Sequence, residues 1–134
     1  MNKTRQFLSI LLLAISGFLS LSYSAEPGVK DIDSEIKVYY FHATRRCVTC
    51  EAVEVVARKA VRNNYGDEVE FIVVNREKDE NKSLVEKYKI SGQTLLIVKG
   101  EKVENITNYA FMNARKNPEK VEDLIRSTIE SLIE

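Results

Sequence analysis

The feature that most constrains this chain is a pair of cysteines, Cys47 and Cys50, placed between two segments of different periodicity. Residues 36–41 form a nearly continuous apolar and aromatic run, which predicts a strand buried on both faces. The residues after Cys50 are apolar at helical spacing, which predicts a helix directly after the pair. The chain has 2 cysteines in all, and a pair separated by two residues at a strand-to-helix junction is typical of a redox dithiol.

The position of the pair predicts different roles for the two thiols. The first turn of a helix presents unpaired backbone N–H groups and the positive end of the helix dipole, and both stabilise a thiolate. Cys47 is therefore predicted to be the nucleophile. The positive charges of Arg45 and Arg46, and of His42 when it is protonated, are predicted to lower its pKa. Cys50 lies on the same side of the helix and is predicted to resolve a mixed disulfide formed on Cys47.

Two other interpretations of the pair remain open. It could form an inert structural disulfide, or it could belong to a binding module in which Cys47, Cys50 and His42 hold a soft metal ion such as copper(I), or a metalloid. Structural zinc is less suitable, because such a site usually has four Cys or His ligands and this chain contains 2 Cys and 1 His. Under the redox interpretation no metal or separate cofactor is expected, since the redox group is the Cys47–Cys50 disulfide itself.

The first two dozen residues have the pattern of a secretory signal peptide. A basic start and an apolar core over residues 7–21 precede a small-x-small cleavage signal at residues 22–24. We therefore predict a signal peptide over residues 1–24 and cleavage before Ala25, which would place the protein in a periplasm or outside the cell, where disulfides persist. The apolar core is shorter than the roughly 20 residues of a spanning helix, so an N-terminal membrane anchor is the less favoured alternative.

The rest of the chain has the size of one domain. A polar lead-in is predicted over residues 25–35, followed by a domain over residues 36–134. Removing the signal peptide takes away Lys3 and Arg5 from the 20 basic residues and leaves the 20 acidic residues in place, so the net charge becomes −2. This charge argues against a nucleic-acid partner.

The remaining apolar pattern alternates between strand and helix spacing. Asn117 and Pro118 stand in the preferred cap and first-turn positions of a last helix. The segment before it is predicted to be an extended loop packed by Tyr109, Phe111 and Met112. The alternative is an exposed apolar patch that docks a membrane partner. The predicted elements are strands at residues 36–41, 69–74, 95–98 and 102–106, and helices after Cys50, at residues 79–88 and from Pro118 onward.

Element order, size and motif position together resemble the thioredoxin superfamily. The local matches are residues 40–43, which lead to the cysteines, and residues 88–98, which resemble the family's Gly-x-Pro-Thr loop and the apolar strand after it. The resemblance implies an α/β thioredoxin-like fold of order β-α-β-α-β-β-α, with a central mixed four-stranded sheet flanked by helices. It also implies a thiol-disulfide oxidoreductase whose partners are client protein thiols or disulfides. A membrane electron-transfer protein or a transporter is a further candidate partner.

The motif departs from that of the housekeeping thioredoxins. Arg46 stands where those proteins carry tryptophan, and Val48-Thr49 replaces Gly-Pro between the cysteines. The family's buried strand carboxylate would fall at Tyr40 or Phe41, neither of which is a carboxylate base. We therefore expect a thioredoxin-like protein that is not a housekeeping thioredoxin.

The loop that faces substrates in the family also differs. Thr94 takes the place of the family's cis-proline, and Gln93 precedes it. Because a non-proline cis bond costs about 2.5 to 4 kcal/mol, we predict a trans Gln93-Thr94 bond. We expect Gln93 and Thr94 to form the substrate-facing loop and to recognise clients differently from ordinary thioredoxins.

Overall fold

The structure is a computed structural model that describes residues 35–134. The predicted signal peptide, its cleavage site and residues 25–34 of the lead-in lie outside the described residues. Within residues 35–134, no helix combines the length and the apolar character needed to cross a membrane.

The described residues form four strands and four α-helices, with one 3₁₀ turn before the second helix. In chain order these are β1 (Ile36–His42), α1 (Val48–Tyr65), β2 (Glu70–Asn75), the 3₁₀ turn (Asp79–Asn81), α2 (Lys82–Lys87), β3 (Thr94–Lys99), β4 (Lys102–Asn105), α3 (Thr107–Asn113) and α4 (Pro118–Ile133).

The strands form one mixed sheet in the order β2-β1-β3-β4. β2 runs parallel to β1, β3 runs antiparallel to β1, and β4 runs antiparallel to β3. The predicted α/β class, with a central mixed four-stranded sheet flanked by helices, is confirmed. The predicted order β-α-β-α-β-β-α is also present, with α3 as an additional helix before the last one.

Both faces of β1 are buried, which explains its continuous apolar sequence. Val38 and Tyr40 belong to the larger core between the sheet and helices α1, α3 and α4, whereas Tyr39 and Phe41 belong to a smaller core beside α2. The apolar residues that recur at helical spacing in α1 are all buried, and four of the five in α4 are buried while Leu124 is half-buried. These residues are Val53, Val56, Ala57, Ala60 and Val61 in α1, and Val121, Leu124, Ile125, Ile129 and Leu132 in α4.

The ends of the long helices follow the local sequence. Cys47 caps the N-terminus of α1, and Pro118 is the first residue of α4. α1 ends at Gly66, whose φ of 55° lies in the left-handed region and whose N–H donates to the carbonyl of Arg62. Only glycine adopts such a conformation without strain, so Gly66 sets the point at which the chain leaves α1 for β2.

Two predicted segments differ from the structure. The helix predicted over residues 79–88 is divided into the 3₁₀ turn Asp79–Asn81 and α2, Lys82–Lys87. The prediction of an extended loop after β4 was wrong, since Thr107–Asn113 forms α3. Phe111 packs against the core, but Tyr109 and Met112 are 40% and 73% exposed.

Helix α3 forms for local and tertiary reasons together. The Asn105 side-chain oxygen accepts hydrogen bonds from the backbone N–H of Thr107 at 3.1 Å and from its hydroxyl at 2.6 Å, which starts a helical turn. Ile106, Ala110 and Ala114 then recur every fourth residue and are all buried in the larger core. The spacing of these small and branched residues was the sequence signal for α3, whereas Tyr109 and Met112 lie on the helix's exposed side.

Candidate functional site

A disulfide joins Cys47 to Cys50 at the N-terminus of α1. Cys47 has extended backbone dihedrals, and its sulfur accepts a hydrogen bond from the Cys50 backbone N–H at 3.2 Å. Cys47 is exposed, whereas Cys50 is 3% exposed. The helix start therefore presents the first sulfur to solvent and keeps the second within the protein.

The loop between β1 and α1 is attached to the end of the neighbouring strand. The Thr44 backbone N–H donates to the Glu77 carboxylate at 2.9 Å, and the Asn75 amide donates to the Thr44 hydroxyl at 3.0 Å. The hydrogen bonds from Thr44 lower the pKa of Glu77 below its usual value, so the carboxylate stays charged at neutral pH. These contacts fix the segment that carries Arg45 and Arg46 ahead of the disulfide.

Tyr40 of β1 is hydrogen-bonded to the first turn of α1. Its side chain is fully buried, and its hydroxyl donates to the Cys50 carbonyl at 2.8 Å. Burial raises the pKa of Tyr40 to about 12, so the hydroxyl remains a donor at neutral pH. Tyr40 therefore positions Cys50 but does not serve as a base for its thiol.

Arg46 lies at the centre of a polar cluster beside the disulfide. Its guanidinium forms an ion pair with the Glu54 carboxylate, and a second nitrogen lies 2.7 Å from His42 Nε2. Glu54 also accepts from Arg58 at 2.6 Å. Burial acts to raise the pKa of Glu54, but hydrogen bonds and positive charge from Arg58 and Arg46 outweigh it and lower the pKa.

Glu54 was not among the site residues predicted from the sequence. The residue follows Cys50 by one helical turn, so a carboxylate on the same side of α1 as the dithiol was the available signal. Its side chain is only 14% exposed, which makes its charge more effective than that of an exposed surface glutamate. Glu54 places a negative charge next to the positive charge of Arg46, and the two partly cancel.

Both ring nitrogens of His42 lie near hydrogen-bonding partners. Nε2 lies 2.7 Å from a terminal nitrogen of Arg46, and Nδ1 lies 3.2 Å from Arg46 Nε and 2.7 Å from the Ala43 carbonyl. His42 is therefore tied to the Arg46 guanidinium through its ring nitrogens. Among residues 35–134, no cluster of three or more His, Cys, Asp or Glu side chains is placed to hold a metal ion.

The loop before β3 lies at the same edge of the sheet as the dithiol. Thr94 pairs with Phe41 near the end of β1, and its hydroxyl donates to the Gly92 carbonyl at 3.0 Å. Thr94 is 9% exposed, and Gln93 beside it is half-buried. The Gln93-Thr94 bond is trans, as the energetic cost of the cis form predicted.

Three residues were predicted to stabilise the thiolate, and two of them, Arg46 and His42, contact each other in the structure. Arg45 is exposed and forms no ion pair with any other residue in the 35–134 range. The strand register places Gln93 and Thr94 at the end of β1 from which the cysteine-bearing loop emerges.

No protein-family model and no curated protein matches the sequence. Among solved structures, the chain is similar to one described as "Structure of a malarial protein", with 25% identity and a TM-score of 0.41 over 51% of this chain and 73% of that chain. The mixed four-stranded sheet with its helices and the Cys-x-x-Cys disulfide are compatible with a thioredoxin-like fold.

Proposed function

We propose that the protein is an extracytoplasmic thiol-disulfide oxidoreductase that exchanges disulfides with client proteins through Cys47 and Cys50. The observation that carries this proposal is the asymmetry of the disulfide at the helix start, where the first cysteine is exposed and the second is 3% exposed. An exposed sulfur can be attacked by or can attack a client, and a buried one can react only within the protein. The signal-peptide pattern at the start of the sequence supports the extracytoplasmic location.

The exchange proceeds in two balanced steps. In the reduced protein, the Cys47 thiolate attacks a client disulfide, forms a mixed disulfide and releases the first client sulfur as a thiolate. Cys50 then loses its proton, attacks the Cys47 sulfur and releases the second client sulfur, leaving the Cys47–Cys50 disulfide and a client reduced by two electrons. Run in reverse, a client dithiol reduces the Cys47–Cys50 disulfide and is itself oxidised. A membrane electron-transfer protein is the proposed partner that supplies or removes the two electrons and restores the starting state.

The surroundings of Cys47 support its role as the attacking thiolate. Its sulfur accepts from the Cys50 N–H, and the positive end of the α1 dipole is directed at it. Arg45 and Arg46 add positive charge immediately before it in the chain.

We expect Arg46 and Glu54 to change the Cys47 pKa in opposite directions. Arg46→Ala removes a positive charge and should raise the Cys47 pKa, whereas Glu54→Gln removes the negative charge paired with Arg46 and should lower it. The alkylation rate of reduced Cys47 near neutral pH should change by about threefold each way. The measurement is the pH dependence of that rate, read from thiolate absorbance and mass spectrometry.

The matched control for these variants is Arg62→Ala, because Arg62 lies in the last turn of α1, at the end opposite Cys47. Its alkylation profile should equal that of the parent protein, and the double variant Arg46→Ala with Glu54→Gln should lie between the two single variants. If the Cys47 pKa shifts in the same direction in both single variants, the opposing charges of Arg46 and Glu54 do not explain the shifts.

The experiment that tests the proposed function is the reduction potential of the mature protein. Alkylation of Cys47 and Cys50 is followed across defined thiol-disulfide buffers under metal-free conditions, with Cys50→Ser as a control that cannot form the internal disulfide. A value below about −250 mV indicates a reductase fed by a donor, and one near roughly −120 to −180 mV an oxidase or isomerase. If no internal disulfide forms at any poise, the oxidoreductase proposal is overturned in favour of a dithiol that binds a soft metal ion or metalloid.

A further inference from the structure

A groove of about 280 Å³ lies beside the disulfide, between the start of α1 and the end of α3. Thr49, which stands between the two cysteines, forms one side of it. The opposite side consists of Phe111, Met112, Arg115 and Lys116. Because Thr49 belongs to the Cys-x-x-Cys motif, a chain bound to Cys47 would reach this groove within a few residues.

The groove has apolar and cationic lining residues. Met112 is 73% exposed, and Val48, which neighbours Thr49 in the chain, is 67% exposed. Large exposed apolar side chains grouped beside a reactive centre are typical of an interaction surface. Half-buried Phe111 connects this surface to the core through helix α3.

The cationic residues of the groove have no acidic partner within residues 35–134. Arg115 and Lys116 are both exposed and lie outside every ion pair of that part of the chain. Some cations of the adjoining helices are paired, since Lys59 lies 3.0 Å from Glu122 and Arg126 lies 2.8 Å from Asp123. Arg115 and Lys116 therefore keep two positive charges at the groove that are available to a ligand.

The size and charge of the groove favour an acidic polypeptide segment as its occupant. Its volume is below the usual range for small-molecule pockets, roughly 300 to 1,000 Å³, and suits a few side chains of a polypeptide. Carboxylates complement Arg115 and Lys116, and apolar atoms complement Met112. The proximity of Thr49 to the disulfide requires that such a polypeptide run directly away from the exchanging cysteine.

We propose that this groove binds an acidic segment of the client next to the client's cysteine, so that Arg115 and Lys116 make the protein prefer clients with Asp or Glu at that place. The inference rests on the proposed function, since it names the class of client used by the same dithiol. The attraction of opposite charges speeds the encounter, and salt weakens this effect. The preference should therefore be greatest at low ionic strength.

The first test compares exchange rates for peptides that differ only beside the cysteine. Three peptides of equal length carry Asp and Glu, Ser and Gln, or Lys next to a cysteine in a disulfide, and uncharged hydroxyethyl disulfide serves as a small substrate. We expect the acidic peptide to react about tenfold faster than the neutral one at low salt, with the difference falling as salt increases. The charge-reversed variant Arg115→Glu with Lys116→Glu should lose this preference or favour the Lys peptide.

The matched control reverses two charges on the other face of the sheet. Lys82 and Lys87 are exposed residues of α2, which packs on the smaller core, so Lys82→Glu with Lys87→Glu makes the same change in net charge away from the groove. This control should keep the acidic preference of the parent protein. Thermal unfolding confirms that both double variants are folded before their rates are compared.

A binding measurement separates the inference from the proposed function. The same acidic peptide with serine in place of cysteine cannot exchange, and its binding to the oxidised protein is followed by fluorescence anisotropy and by chemical shifts of Met112. We expect binding that is lost in the Arg115 and Lys116 variant and kept in the control. Equal rates for all three peptides, or no binding of the inert peptide, overturn the inference even when hydroxyethyl disulfide reacts normally.

Two further outcomes also overturn it. Vesicles of anionic lipid that bind the protein through Met112 in place of the peptide would make the groove a membrane surface. A concentration-dependent dimer that hides Met112 would make the groove a contact between two copies. Absence of reaction with hydroxyethyl disulfide, with the inert acidic peptide still bound, would instead count against the proposed function and leave the groove's ligand class supported.

Discussion

The variant Cys50→Ser is expected to accumulate mixed disulfides with clients, whereas Cys47→Ser is expected to reduce thiol-disulfide exchange to background. The reason is the difference in exposure, because Cys47 is exposed at the helix start and Cys50 is 3% exposed. With Cys50 absent, the Cys47 thiolate still attacks a client, but no second thiol is available to release it. With Cys47 absent, the buried Cys50 cannot reach a client disulfide.

The measurement is alkylation trapping of extracts from the native compartment, followed by non-reducing electrophoresis and mass spectrometry of the trapped species. The variant with both cysteines changed to serine is the control for adducts that do not involve the dithiol. Adducts that form on Cys47→Ser more readily than on Cys50→Ser would reverse the assignment of nucleophile and resolving thiol. Absence of adducts on either single variant would contradict exchange with client proteins.

The variant Ile125→Ala is expected to lower the free energy of unfolding by about 3 to 4 kcal/mol. Ile125 is fully buried in the larger core, where α4 packs beside α1 on one face of the sheet. The substitution removes buried methyl and methylene groups and leaves a cavity that the surrounding side chains fill only in part. The measurement is urea denaturation of the oxidised protein at neutral pH.

Ile133 supplies a matched control in the same helix. It is 59% exposed, so Ile133→Ala should change the free energy of unfolding by less than about 0.5 kcal/mol. The denaturant dependence should be similar in both variants, which keeps the two free energies comparable. Similar losses for Ile125→Ala and Ile133→Ala would contradict the position of α4 over the sheet.

Apolar spacing was sufficient to predict the long elements. β1 is buried on both faces, and α1 and α4 have buried stripes at helical spacing, so these elements were evident from the sequence. Their ends were marked by residues with local effects, such as Cys47 as a cap and Gly66 with positive φ. The parallel pairing of β1 with β2 agrees with the element order, since a helix between the two strands permits a parallel pair.

Short elements were harder to predict. α3 covers Thr107–Asn113, and its buried side consists chiefly of the small residues Ala110 and Ala114, which give a weak apolar signal. The large residues Tyr109 and Met112 suggested packing but lie outside the core. In a short helix, the choice of buried side depends on which residues fit the space left by α1, α4 and the sheet.

The sequence by itself determined the dithiol at the start of a helix and the alternation of strands and helices, because each of these depends on residues near one another in the chain. Tertiary structure decided the burial of Cys50 and the contacts that tune the site. Arg46 meets Glu54 and His42, Glu77 accepts from the Thr44 backbone 33 residues away, and Met112 and Arg115 line the groove beside Thr49. Such contacts join side chains from separate elements, so their distances and charges are fixed only when the helices pack on the sheet.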